Sequence, residues 1–112
     1  MDNVVRVKPG VLFSVIAPGG FRILAGLVAV AASIGHDITI TSACDGIHSG
    51  PEDPHHLGKA YDVRISDLPD PAITLQDIQT ELGTEEFFAF IEDPGTPNEH
   101  IHVQQRHGVE YP

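Results

Sequence analysis

Between residues 21 and 34, apolar side chains recur at three- and four-residue steps: Ile23, Leu24, Leu27, Val28, Ala31 and Ile34. That is the spacing of a helix with a wide buried face. Gly35 follows, at the position where helices commonly end in a left-handed turn. Next, Asp37-Ile38-Thr39-Ile40-Thr41 alternates polar and apolar, the period of a strand. The alternation returns at Tyr61-Asp62-Val63-Arg64-Ile65 and across residues 100–104, and residues 87–91 read as a further strand. Residues 73–82 fit a short amphipathic helix. Residues 45–54, rich in Gly, Pro, Asp and Ser, read as a loop, residues 69–71 as a turn and residues 93–98 as a tight loop. The pattern predicts an α+β fold in one domain, residues 1–112.

Strand alternation also decides which residues face the same way, because side chains two apart share a face. His100, His102 and Gln104 therefore point one way, with Ile101 and Val103 turned into the core. Asp62 and Arg64 share a face, with Tyr61, Val63 and Ile65 opposite. Each strand presents a polar face to one cleft. His55 lies on the loop side of Asp62, across Gly58, and a glycine there lets the chain turn so that the imidazole comes over the carboxylate. Ala60 leaves space beside it. On an ideal strand Glu99 and His102 face opposite ways, so Glu99 joins the site only if the strand begins after it, a start that Pro97-Asn98 favours.

The candidate chemistry sits on these faces. His55-His56-Leu57-Gly58-Lys59-Ala60-Tyr61-Asp62 reads H-x-x-G-x-A-x-D, and Glu99-His100-Ile101-His102 reads E-H-x-H. Two imidazoles and one carboxylate can be drawn from them. Three protein ligands with an open fourth position mark a catalytic zinc site, whereas structural sites are closed by four. Of seven histidines in the chain, four fall in these two motifs.

Composition narrows the classes. A chain of 112 residues forms one core, and a domain of this size buries roughly 60–70% of its unfolded surface. The lone Cys44 excludes an intramolecular disulfide and a Cys-rich zinc knuckle. A net charge of −10 argues against a nucleic-acid partner. Residues 11–35 are nearly free of charge, but Pro18-Gly19-Gly20 and Arg22 interrupt them, so no membrane span is expected. The same breakers, with Asp2 near the start, argue against a signal peptide despite the nominal cleavage site Ala29-Val30-Ala31. A monomer made in the cytoplasm is expected, with a substrate that need not lie there.

The two motifs resemble those of the zinc D-Ala-D-Ala peptidase family, which groups with lysostaphin-type enzymes and the hedgehog signalling domain. His55, Gly58, Ala60 and Asp62 match the family's first signature, and His100 and His102 its second. The helix at residues 21–34 and the strand Ile38-Thr39-Ile40-Thr41-Ser42 are similar to the helix and the "ITS" strand that precede them. The likeness covers roughly residues 20–105. Asp45-Gly46-Ile47-His48 and Asp62-Val63-Arg64 resemble a compact, phage-type subgroup. The resemblance implies a small antiparallel sheet with helices packed on one side. It also implies a zinc ion on His55, Asp62 and His102, Glu99 as general base, and His100 beside the reacting carbonyl. The substrate it implies is a peptidoglycan stem peptide or similar small peptide, cut by a D-Ala-D-Ala carboxypeptidase or endolysin at the bacterial cell wall. His48, Asp45 and Arg64 are candidate substrate contacts. Two departures stand out: the family's "GYRS" arginine is replaced by Ala43-Cys44-Asp45-Gly46, and its serine two residues before the first ligand by Asp53. Arg64, Lys59 or His48 would supply the missing positive group.

Two other readings stay open. One is a Cys-His peptidase using Cys44 with His48 or His100. The other is a non-catalytic zinc-binding module of the hedgehog kind. His56 is expected on the surface or behind the ligands.

Overall fold

Pro18 opens the first helix, earlier than apolar spacing predicts. The computed structural model describes residues 3–45, 53–109 and 111. In it α1 spans Pro18–Ile34, with the proline in the first turn, where its fixed φ suits a helix and its missing N–H costs nothing. The two glycines that look like breakers are buried there instead. A Cβ on Gly20 would lie 2.1 Å from the Gly58 carbonyl and 2.8 Å from the Tyr61 hydroxyl. Only a glycine lets the helix start come this close to the turn that carries His55. Gly35 ends α1 in the left-handed region at φ 67°.

The sheet follows in the order β1 (Val5–Val7), β2 (Ile38–Ser42), β3 (Ala60–Arg64), β4 (Phe87–Glu92) and β5 (His100–Gln105), and α2 (Pro71–Leu82) lies between β3 and β4. Asp70 caps α2 by accepting from the Ile73 amide at 3.1 Å, as short polar residues do before a helix. Across the sheet the strands run β1-β2-β3-β5-β4. The expected antiparallel sheet is corrected in one respect. β1 pairs parallel to β2, through Val5↔Ile38 and Val7↔Ile40, so the sheet is mixed. β1 is only three residues long, and two of them are exposed; its pairing depends on β2 rather than on any pattern of its own. The remaining pairs are antiparallel.

One face of the sheet is apolar. Ile40, Tyr61, Val63, Ile101 and Val103 are fully buried there and form one core with Ile23 and Leu27 of α1 and Ile78 of α2. The alternation that sends these residues inward turns their neighbours onto the other face, where the polar residues of both motifs meet. No helix among the described residues is long and apolar enough to cross a membrane.

Candidate metal centre

The register of β3 on β5 sets Asp62 opposite His102 and Arg64 opposite His100. Side chains facing one another on the same face are neighbours. His55 comes from the turn before β3. Gly58 makes that turn at φ +70°, pressed so closely on Val15 that a Cβ would meet its carbonyl at 2.3 Å. Asp53 holds the start of the turn, accepting from the His55 amide at 2.9 Å.

His55 and His102 are buried, Asp62 half-buried, and one ligand atom from each lies within 4.8 Å of the other two. His55 Nε2 is 3.3 Å from Asp62 Oδ1, and His102 Nδ1 is 3.1 Å from the same oxygen. Tetrahedral coordination with bonds of roughly 2.0–2.1 Å places ligand atoms about 3.3–3.4 Å apart. The pairs through Asp62 are close to that span.

Hydrogen bonds at the far sides of the rings decide which nitrogens are free. His55 Nδ1 donates to the Ala43 carbonyl at 3.0 Å. A carbonyl only accepts, so in the neutral ring the lone pair is on Nε2, toward Asp62. His102 Nε2 donates to Gln104 Oε1 at 2.7 Å. Gln104 is oriented in turn by its own Nε2, which donates to the Gln105 carbonyl at 3.1 Å. In the neutral ring that leaves the His102 lone pair on Nδ1, again toward Asp62; without a metal, the protonated rings donate from these same nitrogens to the carboxylate. Both tautomers are set for metal ligation by the arrangement usual around ligating histidines. The donor set, two neutral imidazoles and a carboxylate, fits zinc or another divalent ion of similar preference.

The electrostatics agree with a site built around one anion. Burial opposes ionisation of Asp62, but hydrogen bonds from His102 and His55 and the nearby imidazoles outweigh it and hold the carboxyl well below its ordinary range. Burial likewise disfavours protonation of His102 and His100. For His102 the bonds to Asp62 and Gln104 prevail, and for His100 the Asn98 carbonyl with Asp62 and Glu92; both rings bind a proton more tightly than usual.

Glu92 is the residue that the sequence reading passes over. It pairs with His100 across β4 and β5, and its Oε1 lies 2.8 Å from His100 Nε2 and 3.8 Å from His102 Nδ1. Asp62, Glu92 and His100 form a second close group of ligand-type atoms. His100 is anchored at its other side by the Asn98 carbonyl, 2.6 Å from Nδ1. Phe90 stands against the ring of His102 at 5.4 Å between centroids and walls the site on the β4 side.

Glu99 precedes the first residue of β5, so the alternation that would turn it away does not apply. Its Oε2 accepts from the Gly95 amide at 2.9 Å. With Asp62, Arg64 and His100 it lines an open cleft of about 400 Å³. Asp45 lies outside that lining, and its carboxylate accepts from the Ala43 amide at 2.8 Å and the Leu12 amide at 3.3 Å. His48 lies outside the described residues. The Cys44 thiol donates to the Val15 carbonyl at 3.5 Å and has no histidine partner among the described residues. His56 belongs to neither group of ligand-type atoms. No family model, curated protein or solved structure matches the chain.

Proposed function

We infer that the chain is a zinc-dependent peptidase that hydrolyses short peptides of the bacterial cell wall, in the manner of the D-Ala-D-Ala peptidase and hedgehog-like group. The observation that carries this reading is the convergence of two tautomer-fixed imidazoles on Asp62 beside an open cleft. The motif likeness supplies the cell-wall substrate. His55, Asp62 and His102 would hold the ion. When bound, zinc supplies a Lewis acid that polarises a peptide carbonyl and makes water more acidic.

The chain's own residues supply the rest. Glu99 is a carboxylate on the cleft wall, suited to take a proton from water and return it to the departing amine. Its bond to the Gly95 amide fixes its orientation from the outer side. His100, drawn toward its protonated form by the Asn98 carbonyl, Asp62 and Glu92, would place positive charge where a carbonyl oxygen would become negative.

The test is digestion of purified peptidoglycan by zinc-loaded protein, with products identified by mass. Cleavage should stop with chelator and return with zinc. Glu99→Gln should keep its zinc and lose roughly 10²–10⁴ in rate, the usual worth of a positioned acid–base group. An unaffected Glu99→Gln enzyme would remove the assignment of the base. No cleavage by wild type at any zinc level would favour a binding module instead, a reading to which the engaged Glu99 carboxylate lends some support.

A further inference from the structure

Three imidazoles, not two, converge on Asp62. Its Oδ1 lies 3.3 Å from His55 Nε2 and 3.1 Å from His102 Nδ1, and also 3.5 Å from His100 Nε2. The third ring is set like the others. His100 Nδ1 donates to the Asn98 carbonyl at 2.6 Å, so in the neutral ring the lone pair is on Nε2. That nitrogen faces Asp62 on one side and Glu92 on the other, whose Oε1 stands 2.8 Å away. Asp62 comes from β3, His100 from β5 and Glu92 from β4, and the register of the sheet alone brings them together. Among the described residues neither carboxylate pairs with a lysine or an arginine; both face histidines.

We propose that Asp62, Glu92 and His100 form a second, weaker site for a divalent cation, which shares Asp62 with the first ion and makes the centre dinuclear. This rests on the metal centre proposed above and not on the peptide substrate. The donor set is one imidazole and two carboxylates, with ligand atoms all within 4.8 Å of one another. It suits zinc, cobalt or manganese. A carboxylate offers two oxygens and about four lone-pair positions, enough to bridge two ions. The 3.5 Å between Asp62 and His100 is close to the spread of about 3.3–3.4 Å in a tetrahedral shell. The 2.8 Å between His100 and Glu92 is shorter, but the Glu92 side chain is 42% exposed and has room to draw back. Asp62 and His100 line the open cleft, which gives an ion a way in and water to complete its shell. Two cations on one carboxylate repel each other, so the second binds less tightly. The first ion orients the shared carboxylate, and the second fills after it.

The probe is zinc alone. Metal-free chain is titrated with it by calorimetry, the number of bound ions is read by native mass spectrometry, and the distance between them by X-ray absorption. Wild type should take up one ion and then a weaker second. At two equivalents a zinc–zinc distance of roughly 3.5–4 Å should appear, the spacing of known two-metal centres. Glu92→Gln keeps the size of the side chain and a hydrogen-bonding oxygen but loses the charge. It should hold the first ion and weaken the second by at least the roughly 10–100-fold that loss of even an outer partner costs a metal site. His100→Ala should likewise keep the first ion and lose the second.

Two bound ions without the short distance place the second elsewhere, such as at the exposed His107, and overturn the shared site. That measurement is made on wild type and needs no substitution. A second ion held equally well by Glu92→Gln also overturns it. Uptake of one ion at every zinc concentration overturns the second site and leaves the first centre standing. Uptake of none removes both. None of these readouts depends on cleavage, so a chain that binds two ions and cuts no wall peptide sustains this inference while the peptidase reading falls.

Discussion

The two faces of β3 and β5 are built from alternating residues of the same two strands, yet they are held together in different ways. On one face Tyr61, Val63, Ile101 and Val103 are sealed under α1 and α2. Their stability comes from apolar area removed from water, a non-directional force that tolerates small shifts. On the other face Asp62, His100 and His102 have no helix over them among the described residues. His100 is held by directional bonds to Asn98 and Glu92, His102 by bonds to Gln104 and Asp62, and His55 beside them by a bond to the Ala43 carbonyl. The apolar face therefore decides whether the chain folds. The polar face decides what it can hold. Substitutions on the two faces should separate these properties.

The largest separation is expected at adjacent residues of β5. Ile101 is fully buried, and Ile101→Ala should cost about 2–5 kcal/mol. His102→Ala should abolish metal binding while costing the metal-free protein less, on the order of 1–2 kcal/mol for the bonds it leaves unmade. Thermal melts in chelator, together with metal content, check both. If His102→Ala unfolds the metal-free chain as deeply as Ile101→Ala, the two faces are not separable and the site is structural. Wild-type protein should stay folded after chelation for the same reason.

A subtler break of the polar face leaves all three ligands in place. Gln104→Leu removes the acceptor that keeps the proton on His102 Nε2. Loss of such a ring-orienting partner typically lowers metal affinity by about 10–100-fold. Competition titration with a chelator of known affinity measures it. Unchanged affinity would mean that β5 alone orients the ring.

Titration gives a third contrast, with opposite signs for metal-free and metal-loaded protein. His100 and His102 bind protons more tightly in the fold than their ordinary 6.5. A raised pKa stabilises the fold fully below the unfolded value and loses that contribution as pH rises through the folded one. Asp62 is lowered, so its contribution is present above the ordinary carboxylate range and fades in acid. The metal-free site is thus most stabilising between the carboxylate range and about pH 6.5, and its contribution should decline above that. Ligation needs neutral imidazoles, so metal affinity should instead rise over the same interval. Melts from pH 6 to 8, with zinc and with chelator, should diverge. Parallel curves would contradict the site's protonation.

What could be read from the chain depended on whether one segment carried the information. Residues 21–34 show their helix by spacing alone, and the alternation of β3 and β5 places Asp62, Arg64, His100 and His102 on one face. The start of α1 was hidden because Pro18-Gly19-Gly20 looks like a breaker. Gly20 is needed for a close approach to Gly58 and Tyr61, and Gly19 for one to the Gln105 side chain, residues far away in sequence. β1 was hidden because three residues carry no period and its partner β2 comes thirty-three positions later, at Val5↔Ile38. Glu92 was hidden because the register across a hairpin, not any local motif, sets it against His100. The tautomers likewise depend on acceptors, Ala43 and Gln104, whose positions only the folded sheet defines.

The smallest expected effect lies at the sheet's outer edge and joins it to the cleft. Asp37 accepts from the Val4 amide and from Arg6 Nε, both at 2.8 Å. The Val4 amide, and after it the Arg6 guanidinium, hold its carboxyl below the ordinary value. Being lowered, it supports the fold above the carboxylate range and loses that support as pH falls. The pair is at the surface, where ion pairs contribute little to global stability. Asp37→Asn should therefore leave the melting temperature nearly unchanged. Its effect should be local: faster hydrogen exchange at the β1 amides, with β3 and β5 unaffected, because an edge strand opens on its own. β1 leads directly into Lys8, whose amide donates to the Ile40 carbonyl at 2.9 Å. Loosening β1 should then free the Lys8 end of the cleft wall without loss of metal. Exchange that quickens equally in β5 would show that the edge and the site open together, and that the two faces are less independent than their chemistry suggests.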